Sequence, residues 1–147
     1  MKRIVPIART LLGLAFVLFS ANYFVPFLPQ PQQLPSPDAM AFIVAFKGAG
    51  LLTFIKLIEM AAGLALISNV AAPLAATLLA PIIVGILWFH ASLMPSGLPV
   101  PLALLVLELL VAWGYRGAFA SMLRVRVTPT KDAVEPSLAL DARRQTA

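Results

Sequence analysis

One apolar stretch constrains the fold of this chain more than any other, because it carries two charged residues. It runs from Gly50 to Ile67 and reads GLLTFIKLIEMAAGLALI. Its length is typical of a membrane-spanning helix, yet Lys56 and Glu59 lie near its middle. A charge at the centre of a bilayer costs about 2.5 to 3.5 kcal/mol, whereas each Leu, Ile, Val or Phe returns roughly 0.3 to 0.6 kcal/mol. Since residues three apart share a helical face, Lys56 and Glu59 are each other's nearest partner.

Composition favours a membrane protein over a soluble domain. Apolar residues make up 61% of the 147-residue chain, against roughly 45 to 50% in an average globular domain. Charged residues make up only 12%, and the mean hydropathy is +0.93. A chain of this length accommodates about four membrane helices with short connections.

Four apolar runs predict an all-α, polytopic membrane protein, a bundle of four transmembrane helices joined by short turns. The predicted spans are about residues 7–24, 50–67, 73–92 and 100–119, within a domain of residues 1–123. A proline-rich outer loop, PFLPQPQQLPSPD, follows the first span and excludes a helix. Ser36 and Asp38 predict a new helix start, and the run up to Lys47 is either an interfacial helix or an extension of the second span. Residues 124–147 are predicted to be a mobile cytoplasmic tail.

The basic residues predict the orientation in the membrane. Nine of the 11 Lys and Arg residues lie at the two ends of the chain, before or at the opening of the first span or from Arg116 onwards. Cytoplasmic loops carry such an excess, so both termini are predicted to be cytoplasmic. The positive charge therefore indicates contact with anionic lipid and not with nucleic acid. Arg9 is predicted to reach the headgroups at the inner end of the first span.

Four polar residues are the candidates for a proton-binding or ligand-binding site: Lys56, Glu59, His90 and Glu108. At about 1.5 Å per residue, Glu59 lies about 15 Å and Glu108 about 12 Å below the outer ends of their helices, near the midplane of the membrane. These groups either form a structural ion pair that fixes helix packing or line a cavity that binds a proton, a cation or a polar ligand. An interface with a second subunit is the third alternative.

The same composition excludes several kinds of chemistry. The chain has no Cys, which excludes thiol nucleophiles, disulfide relays and thiolate metal sites. One His and two separated Glu make a poor ligand set, so no metal site is expected. His90 lies close to the outer surface of the membrane, where a histidine more often anchors a helix than binds a ligand.

Two segments resemble the DoxX family of four-helix bacterial membrane proteins. The first is Arg9-Thr-Leu-Leu-Gly13-Leu-Ala-Phe16-Val, and the second is Glu59-Met-Ala-Ala-Gly63-Leu-Ala-Leu. His90 falls where many members end the third helix with a histidine. The resemblance spans about residues 9–113. Members often carry a Gly and a Lys after the first segment, where this chain has Ser20, Asn22 and Tyr23, so no ligand site involving that lysine carries over.

The resemblance implies a bacterial inner-membrane protein in or near redox metabolism. Some relatives are subunits of quinone-linked oxidoreductases, and others accompany redox-stress enzymes. The expected function is therefore an accessory or quinone-linked subunit, with a redox enzyme or a second copy of the chain as the partner. The sequence does not determine a cofactor, and a quinone is the candidate. The alternatives are a small proton- or solute-coupled carrier that uses Glu59 and Glu108, and a structural membrane protein without a ligand.

Overall fold

The computed structural model describes residues 3–29 and 35–122, and their regular structure is entirely helical. The predicted all-α class is therefore confirmed. The helices are α1 (Ile4–Phe24), α2 (Pro37–Gly48), α3 (Leu51–Ser68), α4 (Ala72–Leu93), α5 (Pro99–Gly114) and α6 (Arg116–Met122), with one 3-10 turn at Pro95–Gly97. The centre of the proline-rich loop and the predicted tail at 124–147 lie outside the described residues.

Three helices are long and apolar enough to cross a membrane, which suggests a membrane location. Helices α1, α3 and α4 have 21, 18 and 22 residues and mean hydropathies of 2.0, 1.8 and 2.1. Helix α5 is also apolar but has only 16 residues. At about 1.5 Å per residue it is about 24 Å long, less than the roughly 30 Å of a typical hydrocarbon core.

The four longest helices form an antiparallel bundle. Helix α1 packs against α3 and α5, and α4 packs against the same two helices, so α3 and α5 lie at opposite corners. We call one end of the bundle the Arg9 end and the other the His90 end. Each helix buries one stripe at helical spacing. The stripe of α1 is Ala8, Leu12, Gly13, Phe16 and Ser20, and that of α5 is Pro101, Leu104, Glu108 and Val111.

The closest helix crossing is between α1 and α3, where two glycines face each other. A Cβ atom at Gly63 would lie 2.9 Å from the carbonyl oxygen of Gly13, and one at Gly13 would lie 2.7 Å from the carbonyl oxygen of Gly63. Membrane helices often use small residues to bring two backbones this close. The crossing holds α1 and α3 in a fixed register.

Helix α2 is a separate helix and not an extension of α3. Its N-cap is Ser36, as predicted, whose Oγ accepts a hydrogen bond from the backbone N–H of Ala39 at 3.2 Å. The same hydroxyl donates to the carbonyl of Leu93 at 3.0 Å, which attaches the start of α2 to the end of α4. The helix ends at Gly48, and Gly50, just before α3, adopts φ 73°, a left-handed conformation that favours glycine.

The predicted span over residues 100–119 is wrong as one continuous helix. Helix α5 ends at Gly114, and α6 begins at Arg116 after a break at Tyr115. The Tyr115 hydroxyl donates a hydrogen bond of 2.6 Å to Asn69 at the end of α3. Gly114 packs so closely against Val5 of α1 that a Cβ would collide with that side chain. These contacts with α1 and with Asn69 lie at the interruption of the helix at Tyr115, whose φ of -100° and ψ of 17° depart from helical values.

Candidate functional site

A cavity of about 670 Å³ lies in the half of the bundle towards the His90 end. Side chains of α1, α2, α3, α4 and α5 all contribute to its wall. Apart from Lys56, Glu59 and His90, every lining residue is apolar or aromatic. The cavity therefore combines a large apolar wall with three polar groups, which is typical of a site for a small lipophilic molecule.

The floor of the cavity carries an ion pair. Lys56 Nζ lies 2.7 Å from Glu59 Oε2, and Glu59 is the lining residue of α3 nearest the Arg9 end. The Lys56 side chain is 18% exposed and that of Glu59 only 2% exposed. The pairing expected from their spacing of three residues is thus present. Because little water reaches the pair, each charge depends on the other for compensation.

A third side chain completes this cluster. The Oγ of Ser20 in α1 donates a hydrogen bond of 3.2 Å to the same atom, Glu59 Oε2. Ser20 is fully buried. We call Ser20, Lys56 and Glu59 the Glu59 cluster. The cluster joins α1 to α3 on the His90 side of the glycine crossing. Oε1 of Glu59 accepts no hydrogen bond from any residue that the structure describes.

His90 lies on the opposite side of the cavity from the floor. Its Nδ1–H donates to the carbonyl oxygen of Ile86, one turn earlier in α4, at 2.8 Å. In the neutral ring, Nε2 is then the hydrogen-bond acceptor. The ring edge packs against Gly97, where a Cβ would lie only 2.8 Å from Nε2, so a residue larger than glycine would displace the imidazole.

Glu108 is not part of this cavity. It lies on the buried stripe of α5, at the corner of the bundle opposite α3, and it is 5% exposed. Its Oε2 is a buried oxygen without a hydrogen-bond partner among the described residues. Leu104 is the residue of α5 nearest the Arg9 end that lines the cavity, and Glu108 lies about one turn beyond it. Three of the four candidate residues are therefore brought together, and Glu108 is separate.

The Arg9 end is closed by hydrogen bonds between helices. Arg9 Nη1 donates to the carbonyl of Leu66 and, at 3.4 Å, to that of Ile67, near the end of α3. The last carbonyls of a helix lack partners within the helix, and a cation satisfies both their hydrogen bonding and the helix dipole. The predicted reach of Arg9 to the headgroups stays a prediction, and the structure adds that its guanidinium binds the end of α3.

Sequence reasoning missed two contributors to the site. Ser20 was noted only as a departure from a family pattern, although it continues the buried stripe of Leu12 and Phe16 at intervals of four residues. A lone hydroxyl on an apolar helix stripe is a signal that a partner lies opposite. The aromatic face of α2, with Phe42 and Phe46 stacked at 4.2 Å, also lines the cavity and was not predicted.

Comparison with known proteins gives no relative to set beside this geometry. No protein-family model, no curated protein and no solved structure matches the chain.

Proposed function

We propose that the chain is a DoxX-like integral protein of the bacterial inner membrane with four spans, formed by α1, α3, α4 and α5. The proposal for α5 is supported by its apolar sequence and its place in the ring of four helices. A short span is accommodated by local thinning of the bilayer and by snorkelling of flanking residues. Cζ of Arg116 lies 5.3 Å from the ring centroid of Trp113. These two residues form an interfacial anchor at the Arg9 end of α5.

The orientation we propose puts the Arg9 end in the cytoplasm. The basic residues at both ends of the chain support this choice, because Lys and Arg are retained on the cytoplasmic side. The cavity then lies in the outer half of the membrane.

The function we propose is binding of a lipophilic ligand of the quinone class, as an accessory subunit of a membrane oxidoreductase system and not as an enzyme on its own. The observation that carries it is the cavity of about 670 Å³ with the Glu59 cluster at its floor. Pockets for small molecules have volumes of about 300 to 1,000 Å³, with mostly apolar walls and a few polar groups that orient the ligand. Trp88 lies on the same wall and is 74% exposed. A ligand dissolved in the lipid can therefore enter the cavity beside it.

The test is identification of the ligand that co-purifies with the protein. The protein is purified in mild detergent, and bound small molecules are extracted and identified by mass spectrometry. Gly85→Leu is the test variant, because Gly85 lines the cavity and a Cβ there meets no atom within 4 Å. Gly117→Leu is the matched control, because Gly117 is equally unobstructed but lies on α6.

The expected result is a bound lipophile in the native protein and in Gly117→Leu, and a strong loss in Gly85→Leu. Equal ligand content in both variants would contradict binding in the cavity. A redox enzyme or a second copy of the chain found in the same preparation identifies the partner. A well-folded protein without any bound molecule or partner would favour the structural alternative.

A second candidate function is a proton- or solute-coupled carrier, and the buried oxygen of Glu108 favours it. A carboxyl group without a partner in a membrane helix is a group that could bind a proton or cation. Proteoliposomes with the native protein and with Glu108→Gln would be compared for proton flux driven by an imposed gradient. Flux in the native protein that Glu108→Gln abolishes would support the carrier, and equal flux in both would exclude this role.

A further inference from the structure

The Glu59 cluster has unused hydrogen-bonding capacity on both sides of the ion pair. Lys56 Nζ has three N–H groups, and its contact with Glu59 Oε2 is the one that the described residues supply. Glu59 receives both of its contacts, from Lys56 and Ser20, on Oε2, so Oε1 stays available as an acceptor. A donor and an acceptor are therefore present together at the floor of an otherwise apolar cavity.

The charge of the cluster restricts the kind of head group that fits. Lys56 and Glu59 compensate each other, so the floor carries no net charge. An anionic head such as a carboxylate or phosphate would lie beside the Glu59 carboxylate, and a cationic head would lie beside the Lys56 ammonium. Either would leave one charge uncompensated in a poorly solvated place, which is unfavourable. A neutral head group avoids this penalty.

Among neutral heads, a hydroxyl group matches both free positions. One hydroxyl oxygen donates a single hydrogen bond and accepts others, so it can donate to Glu59 Oε1 while accepting from Lys56 Nζ. A carbonyl or ether oxygen accepts only and would leave Oε1 without a donor. Hydrogen bonds to a charged group are stronger than those between neutral groups, and an unsatisfied buried acceptor is unfavourable.

From this accounting we infer that the cavity binds a neutral lipophile through a hydroxyl head, in preference to the same molecule with a keto or ether head. The hydroxyl lies between Lys56 and Glu59, and the apolar body extends along the aromatic wall of α2 and α4. The inference rests on the proposed binding function and adds the chemistry of the recognised head. If the ligand belongs to the quinone class, the cavity therefore binds the reduced form, which carries hydroxyl groups, more tightly than the oxidised form.

The experiment compares two probes that differ only in carrying O–H or O–CH3 on the same ring, para-dodecylphenol and its methyl ether. Trp88 lies on the cavity wall and is one of only two Trp residues, so Trp113→Phe makes it the sole indole reporter. Quenching of Trp88 emission is titrated with each probe in detergent. The same titrations are made in the background Lys56→Met/Glu59→Leu, where both hydrogen-bonding groups are replaced by apolar side chains. Each probe partitions into the detergent to the same extent in every preparation, so the change in the affinity ratio between the intact and the double-variant site isolates the contribution of Lys56 and Glu59.

The expected result is that the phenol binds at least about tenfold more tightly than the ether in the intact site, and that this ratio falls to near one in the double variant. Phe46→Ala is the control, because it shortens the apolar wall and should weaken both probes by the same factor. Equal binding of the two probes to the intact site, or a preference that survives in the double variant, overturns the hydroxyl inference while leaving the binding function standing. Failure of both probes to bind the intact site overturns the hydroxyl inference and the binding function together.

Discussion

The crossing of α1 and α3 leads to a prediction in which two glycine-to-alanine substitutions have opposite signs. At Gly63, a Cβ would lie 2.9 Å from the carbonyl oxygen of Gly13 and 2.9 Å from Cγ2 of Val17. At Gly85 in α4, a Cβ would meet nothing within 4 Å. Both positions are inside helices, so the intrinsic helix preference of alanine applies equally to the two substitutions.

The magnitudes follow from two competing effects. Replacing Gly by Ala inside a helix favours the folded state by up to about 1 kcal/mol. Inserting a methyl group into a well-packed contact costs about 1 to 3 kcal/mol. The cost at Gly63 should lie towards the upper part of that range, because the obstacle includes a backbone carbonyl that cannot rotate away. Gly63→Ala is therefore expected to lower the free energy of unfolding by about 1 to 2 kcal/mol, whereas Gly85→Ala leaves it unchanged or raises it.

The assay is thermal or denaturant-induced unfolding of the purified variants in one mild detergent, followed by tryptophan fluorescence. Gly13→Ala should behave like Gly63→Ala, because its Cβ would lie 2.7 Å from the Gly63 carbonyl. Gly63→Leu should be more destabilising than Gly63→Ala and more than Gly85→Leu. If Gly63→Ala proves as stable as Gly85→Ala, the two backbones are not in close contact and the reasoning is refuted.

Three further predictions concern charges. Lys56→Met or Glu59→Gln alone should lower the free energy of unfolding by about 3 to 5 kcal/mol, because each leaves a buried charged or polar partner uncompensated. The double substitution should be milder, and full stability of both single variants would show that water solvates the cluster. Arg9→Met should lower the unfolding free energy by about 1 to 3 kcal/mol by exposing the carbonyls at the end of α3, and an effect no larger than that of Arg3→Met would contradict this capping role. Reporter fusions after Lys131 should be cytoplasmic and one at Gln32 external, and an external C-terminus would exclude the orientation.

Local features of the sequence determined the helices and most of their ends. Runs of apolar residues longer than 17 predicted α1, α3 and α4 because only a helix satisfies every backbone hydrogen bond in a lipid environment. Ser36 followed by Pro37 predicted the start of α2, since a hydroxyl cap and a residue without an N–H suit the first turn. The spacing of Lys56 and Glu59 placed them on one face, and that local geometry is enough for their ion pair.

Sequence patterns did not predict the contacts between residues that are far apart along the chain. Ser20 meets Glu59 across 39 positions, and Arg9 meets Leu66 across 57. Periodicity identifies the buried stripe of each helix but not which stripes face each other or at what depth, because helix rotation and register depend on packing with neighbours. Glu59 lines the cavity and Glu108 does not, although the sequence puts both near mid-membrane, and that difference follows from how α3 and α5 are placed in the bundle. Side chains of five helices, α2 among them, line the cavity, so its position depends on how the helices pack and not on any one local sequence pattern.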